Sequence, residues 1–159
     1  MAVGFDDPNL DIDPTSAWWT DGQTEYSVGY LYEWHGNHYW YVGVVDGALT
    51  AGDVVTWATT SGYVTPADTS SAGLFPAGVA VHACPVGGFC FIQCSGVGTQ
   101  DLTTDGNVAA TNALQPAGTP DGTAIPNAAG SEESHFALAF AADATTTLAA
   151  GKWIFKGCI

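Results

Sequence analysis

The feature that most limits the fold of this chain is a series of short runs rich in Val, Tyr, Phe, Trp and Thr that begins at residue 28. Gly, Pro, Asp and Asn separate the runs, and outside residues 141–150 nothing follows a helical apolar period. This composition favours strands joined by turns. We therefore predict an all-β domain over residues 28–159, folded as a compact barrel or sandwich. The predicted strands are 28–35, 38–45, 53–58, 62–66, 78–84, 88–95, 97–103, 112–116, 123–126, 135–142 and 151–157.

Residues 1–27 have a different character. Pro8 and Pro14 interrupt any regular period, and aspartates lie between them. The segment nevertheless carries large apolar side chains, for which a purely solvated tail has little use. We predict an extended N-terminal arm that lies across its own domain or across a neighbouring subunit. The predicted contact residues of the arm are Phe5, Leu10, Ile12, Trp18 and Trp19.

The domain contains an internal repeat. The sequence DGALTAGDVVTWATTSGYVTP begins at Asp46, and DGNVAATNALQPAGTPDGTAIP begins at Asp105, 59 residues later. The same order of motifs continues until GFCFI falls on GKWIF near the end of the chain. The repeat predicts two similar four-stranded β-units, 46–104 and 105–159, neither of which buries its apolar face alone. Residues 28–45 form a separate aromatic hairpin in this scheme.

The repeat also predicts which side chains of the last strands share a face, because strands have a period of two. The residues predicted to face inward are Cys90, Ile92, Trp153 and Phe155. Those predicted to face outward are Phe89, Phe91, Gln93, Lys152, Ile154 and Lys156. Lys152 and Lys156 are the only cations of the chain. They either keep an edge strand soluble or contact an acidic neighbour.

The aromatic hairpin, YLYEWHGNHYWYVG, spans residues 30–43. A two-residue turn at Gly36-Asn37 is predicted, with Tyr30, Tyr32, Trp34, Tyr39 and Tyr41 on one face. Cross-strand aromatic pairs could stabilise the hairpin by themselves. Alternatively, four exposed rings form a ligand platform, and the protein is a carbohydrate-binding β-module. The platform residues are Tyr32, Trp34, Tyr39 and Tyr41.

Other chemistries lack the residues they need. His35 and His38 are too few for a zinc site, and the cysteine spacing does not match a zinc knuckle. The acids of the arm lack the glycine and bidentate glutamate of a calcium loop. Ser95 lacks the glycine that a nucleophile elbow requires two residues earlier. We predict no metal, no cofactor and no enzymatic activity.

The charge of the chain limits its partners. It has two lysines, no arginine and 16 acidic residues, for a net charge of -14. Nucleic acids and anionic membranes both require cations on the protein, so neither is a predicted partner. The N-terminus has neither a basic region nor an apolar region of a signal peptide. This predicts folding in the cytosol with Cys84, Cys90, Cys94 and Cys158 reduced.

Three motifs resemble the β-domains of decoration or cement proteins on the heads of tailed bacteriophages. They are GALTAGDVVTW (47–57), AGLFPAGVAVHACPVGGFCFIQCSGVG (72–98) and DGNVAATNALQPAGTPDGTA (105–124). The resemblance covers residues 45–157, without the arm or the hairpin. It implies a non-enzymatic protein, made in the host cytoplasm, that bridges major capsid subunits on the capsid exterior. It also implies association with copies of itself, as a trimer.

Overall fold

A computed structural model of the chain describes residues 13–15, 20–21, 26–67, 75–116, 121–127 and 136–156. In these ranges every regular element is a β-strand, which confirms the predicted all-β class. The strands are β1 Thr20–Asp21, β2 Leu31–Trp34, β3 Asn37–Val44, β4 Val54–Trp57, β5 Tyr63–Pro66, β6 Pro76–Ala80, β7 Gly88–Val97, β8 Leu102–Thr103, β9 Ala113–Pro116, β10 Ala124–Pro126, β11 Ala137–Ala139, β12 Thr147–Leu148 and β13 Trp153–Lys156.

The first unit is a closed five-stranded barrel. Its strands follow the order β3, β5, β4, β6 and β7, and β7 pairs with β3 to close the circuit. Closure leaves the barrel without unpaired edges. The unit has one strand more than predicted, because the second strand of the aromatic hairpin, β3, is part of the barrel. The interior is filled by Val42, Val44, Leu49, Val55, Val64, Ala77, Ala80, Cys84, Cys90 and Ile92.

The second unit repeats these pairings with shorter strands. β9 pairs with β10 and β11, and β11 pairs with β13, as β4 pairs with β5 and β6, and β6 with β7. The register is also repeated. Val55 lies opposite Pro66, and Leu114 lies opposite Pro126. The same apolar positions therefore point into both units.

The repeat extends further upstream than Asp46. Val44 pairs with Val64 in parallel, and Thr104 forms a parallel bridge with Ala124. The residues at and just after β8 therefore take the place in the second unit that the end of β3 has in the first. The single strand predicted at 97–103 is wrong, because β7 continues to Val97 and β8 is separate. The last strand of the first unit therefore leads directly into the second unit.

The two units share one buried boundary. Val54, Ala67 and Val79 belong to the first unit but lie in the core cluster of the second, among residues such as Leu114 and Trp153. Since directly opposed strand residues share a face, Val54 and Val79 both lie on the outer face of the barrel. The second unit therefore completes its core on the outer surface of the first.

The turn of the aromatic hairpin differs from the prediction. Tyr32 lies opposite Tyr39 and Trp34 opposite Asn37, so the turn residues are His35 and Gly36. Both have positive φ, 50° and 77°, as a type I′ turn requires, and this turn favours glycine in the second position. The Asn37 side chain accepts a hydrogen bond from the Val97 backbone N–H at 3.0 Å, which holds Asn37 in the strand. The predicted faces are retained because each cross-strand partner lies two residues from its predicted position, and residues two apart in a strand share a face.

The predicted facing of β7 and β13 is partly correct. Cys90, Ile92 and Trp153 are buried as expected, and Ile154 is exposed. Phe89, Phe91 and Gln93 lie on the opposite face of β7 as predicted, but they are also buried. A second apolar layer covers Phe89 and Phe91, whereas Gln93 lies opposite Val79 at the boundary with the second unit. The covering layer consists of Tyr26, Val28, Tyr30, Tyr32, Trp34 and Tyr63.

Part of the predicted arm contacts the chain's own barrel. Thr20 and Asp21 pair with the beginning of β7. The cysteines also differ from the prediction. Cys84 and Cys90 are free and buried, whereas Cys94 is in a disulfide. The predicted reduced state is therefore wrong for Cys94, because the composition of the N-terminus does not decide whether a thiol meets an oxidant. Cys158 lies outside the described residues.

Candidate interaction surface

The outer side of the second unit carries a row of exposed apolar side chains. Val97 in β7 lies opposite Ile154 in β13, and Ile154 lies opposite Leu138 in β11. Opposed residues share a face of the sheet. Phe140 follows two residues after Leu138 and is 53% exposed. We call Val97, Leu138, Phe140 and Ile154 the outer apolar face.

The first unit has the same positions, but they are covered. Val79 lies opposite Gln93, as Leu138 lies opposite Ile154, so Ile154 corresponds to Gln93 and not to Phe91, with which the repeat aligned it. Val79 and Gln93 are both 0% exposed, whereas Leu138 is 38% and Ile154 40% exposed. The difference arises because the second unit packs against the first at Val79. Within the described residues, no third unit packs against Leu138 in the same way.

Gln93 holds the crossing between the two units. Its side-chain amide nitrogen donates to the backbone carbonyls of Ser95 and Val97, at 3.2 and 2.7 Å. Its side-chain oxygen accepts from the Thr99 backbone N–H and hydroxyl, at 3.1 and 3.0 Å. A buried amide with these partners is fully used. The segment that carries Val97 is therefore fixed at the edge of the outer apolar face.

A lysine lies beside this face. The Lys152 backbone carbonyl accepts a hydrogen bond from the Phe140 N–H, and its ammonium is 3.5 Å from an Asp143 carboxylate oxygen. The Thr145 hydroxyl and backbone N–H donate to the same carboxylate at 2.6 and 2.9 Å. These hydrogen bonds, with a smaller contribution from Lys152, lower the pKa of Asp143. The rim of the face thus carries one cation and one firmly ionised anion.

The predicted contact residues are only partly placed. Lys152 lies at the outer apolar face. Lys156 belongs to β13, but its side chain lies outside the described part of the structure. The predicted arm contacts, Phe5, Leu10, Ile12, Trp18 and Trp19, also lie outside the described residues.

The apolar members of the face were not predicted as contacts from the sequence. They are Val97, Leu138, Phe140 and Ile154. The repeat contained a usable signal, since it aligns Leu138 with Val79. That alignment could not show that one copy is covered and the other is open, because the cover is a packing contact between units.

The predicted ligand platform is not formed as an exposed surface. Tyr39 and Tyr41 are 0% exposed, and Tyr32 and Trp34 are half-buried in the same cluster. The Tyr41 ring contacts the Phe91 ring, with a centroid distance of 5.4 Å. A sugar that stacks on aromatic rings needs exposed ring faces, which Tyr39 and Tyr41 do not offer. These rings hold the covering layer on the barrel.

The polar groups of the first unit are dispersed. His38 Nδ1 is 2.6 Å from the Ser95 hydroxyl and joins β3 to β7, while its Nε2 is 3.9 Å from the exposed Glu33 carboxylate. Burial raises the pKa of Asp53, which accepts a hydrogen bond from the Thr50 N–H at 2.7 Å. Across the described ranges, no group of three or more His, Cys, Asp or Glu side chains could hold a metal ion.

The described residues include no helix with the length and apolarity needed to cross a membrane. No protein-family model and no curated protein matches the chain. Among solved structures, the chain is similar to the head fiber gp8.5 N base of bacteriophage phi29. The match has a TM-score of 0.52 and 13% sequence identity, and it covers 76% of this chain and 96% of the other. The two proteins therefore share a fold.

Proposed function

We propose that this chain is a non-enzymatic structural protein of a bacteriophage virion. It decorates and stabilises the capsid exterior by bridging major capsid subunits, after synthesis in the host cytoplasm. The observation that carries the proposal is the shared fold with the base of a phage head fiber, with a TM-score of 0.52. The motifs that resemble phage decoration proteins lie within the same β-units.

In the proposed role, the protein acts by binding other protein subunits. The outer apolar face and Lys152 provide an apolar surface with a charged rim, as interfaces between proteins commonly do. Lys156 and the apolar residues of the arm supply further contacts to major capsid subunits and to copies of this chain, which associate as trimers. The proposed arm contacts remain Phe5, Leu10, Ile12, Trp18 and Trp19.

The charge of the chain supports an exterior position. The net charge of the chain is -14, so it repels packaged DNA and anionic lipid, which are also negative. Both bind proteins mainly through cationic side chains, and this chain has only two lysines. The proposed partners are therefore proteins, with no nucleic acid or membrane among them.

The test is a binding experiment with particles of the phage that encodes this chain, after the chain has been removed from them. We expect the purified protein to co-sediment with the particles to saturation and to raise the temperature at which they release DNA. Lys152→Ala should weaken binding. Val86→Asp is the matched control, since it also lowers the net charge by one but lies 58% exposed on a turn of the first unit. Failure of the wild-type chain to bind would contradict the proposal.

A further inference from the structure

We infer that the outer apolar face of the second unit is the surface through which copies of this chain associate. The inference deepens the self-association named in the proposed function. It is tested without a capsid, so either can fail while the other stands. The occupants of the face are the same faces of the two neighbouring copies in a trimer, since a face that paired with only one copy of itself would close as a dimer.

The internal repeat shows a covered and an uncovered copy of the same face. Val54 and Val79 lie on the outer face of the first unit, and both are fully buried against the second unit. Their counterparts in the second unit are Ala113 and Leu138, which lie opposite one another as Val54 and Val79 do. Leu138 is 38% exposed. The position that the fold buries once is therefore open in the second unit.

A neighbouring copy cannot cover Leu138 in the way that the second unit covers Val79. The second unit contacts the first through Gly122, whose N–H and carbonyl bond to Ala67 and Val54. The equivalent turn of the first unit carries Gly62, where an added Cβ would lie 2.3 Å from a Val28 methyl carbon. Since Val28 already occupies this turn, a neighbouring first unit cannot dock by the same contact. The repeat therefore does not continue head to tail between copies.

The outer apolar face is chemically complementary to the same face of another copy. Val97, Leu138, Phe140 and Ile154 form a connected apolar surface, and a second such surface is its natural partner. The rim carries Lys152 and Asp143, 3.5 Å apart. The Lys152 side chain is 41% exposed at this rim, so its ammonium can also contact an acidic group of a neighbouring copy.

Long-range charge favours the same contact. Each copy has a net charge of -14, so approach by most surfaces is opposed by repulsion. The chain has only two lysines, at residue 152 just before β13 and at residue 156 at its end. Contact at this face therefore brings the least negative sides of two copies together. Added salt should strengthen the association, because it screens the remaining repulsion.

The experiment is sedimentation of the full chain over a range of concentrations. The wild-type protein should associate reversibly, with a trimer as the expected species. Ile154→Asp and Leu138→Asp should each weaken association by roughly tenfold or more, as charges in an apolar contact do. Val86→Asp introduces the same side chain at an exposed position outside the face and should associate like wild type. Circular dichroism and thermal unfolding check that each variant is folded.

Several results would overturn the inference. A wild-type chain that stays monomeric at the highest concentration would do so, as would full association of folded Ile154→Asp. Equal loss of association in Val86→Asp would also do so. A dimer that the face variants dissociate would support the surface and replace the trimer.

Hydrogen exchange of the wild-type chain provides a second measurement that needs no variant. Amides at 137–140 and 153–154 should gain protection as concentration rises. Protection that does not change with concentration would contradict the inference.

Discussion

Thr111 occupies a backbone conformation that β-branched residues rarely adopt. Its φ is 72°, in the left-handed region. The repeat explains the position, because Gly52 donates to the Ala80 carbonyl as Thr111 donates to the Ala139 carbonyl. Gly52 has a φ of 91°, which glycine adopts without a steric cost. The second unit therefore keeps the backbone geometry of the first with a less suitable residue.

We predict that Thr111→Gly stabilises the protein by about 1 kcal/mol, because it removes the steric cost of a left-handed threonine. The measurement is the free energy of unfolding from denaturant titration. Thr59→Gly is the control, since Thr59 is also exposed but is not among the positive-φ residues. The control should be neutral or destabilising. A loss of stability in Thr111→Gly would contradict the prediction.

His82 is a buried titratable residue. It is 6% exposed, and burial lowers its pKa. In the unfolded chain an imidazole titrates near pH 6.5. As the pH falls below that value, the unfolded chain binds the proton first, so stability present at neutral pH is lost.

We predict that the free energy of unfolding falls between pH 7 and pH 5.5 by an amount that His82→Gln reduces. The slope due to this residue cannot exceed about 1.4 kcal/mol per pH unit, the limit for one proton. Thr59→Gln, at an exposed position without a titratable side chain, should keep the wild-type pH dependence. Identical pH profiles for wild type and His82→Gln would contradict the assignment.

Strands and turns differ in how far the sequence predicts them. The long strands follow from residue type and turn residues, and β3, β4, β5 and β9 each lie within two residues of their predicted bounds. The two-residue strands β1, β8 and β12 have no period to detect. Their pairing depends on distant partners, such as Leu102 opposite Leu148.

The candidate surface was predictable only in part. Lys152 was found because the chain has so few cations. The apolar residues beside it look like core residues in the sequence, since Leu138 aligns with a buried valine. Which copy of a repeated face is covered depends on packing between units, and a local pattern does not contain that information.

One glycine lies at a close contact between the two units. Gly122 has a φ of 83°, and an added Cβ would lie 2.7 Å from the Asp53 carboxyl carbon. We predict that Gly122→Ala destabilises the protein by roughly 2–4 kcal/mol, from left-handed strain and steric overlap together. Gly151→Ala is the control. Gly151 has a φ of 78° but nothing within 4 Å of an added Cβ, so it reports the strain alone.

The measurement for this pair is again the free energy of unfolding. The difference between the two variants isolates the contact at the boundary between the units. Equal losses in Gly122→Ala and Gly151→Ala would show that Asp53 yields without cost, and would contradict the predicted role of the turn.

At the scale of the whole molecule, the two units are not independent. The core of the second unit includes Val54, Ala67 and Val79 from the first. Unfolding the first unit would therefore expose part of the second unit's core to water, which is unfavourable. The chain should behave as one cooperative body despite its internal repeat.

We predict a single thermal transition in calorimetry, with calorimetric and van't Hoff enthalpies equal. Val79→Ala should lower the free energy of unfolding by roughly 1–3 kcal/mol, since it leaves a cavity at the boundary, while the transition stays single. Val86→Ala, at a position 58% exposed and outside the outer apolar face, is the control and should have a small effect. Two separate transitions in the wild-type chain would contradict the shared core.

β7 takes part in both units, since residues 89–95 pair with β3 and residues 95–97 pair with β13. Inter-strand hydrogen bonds run across the strand direction. A mechanical force that pulls along this strand would therefore load its bonds in shear, and they would have to break together instead of unzipping one at a time. An object tethered through both units would hold its load through the geometry of a single strand.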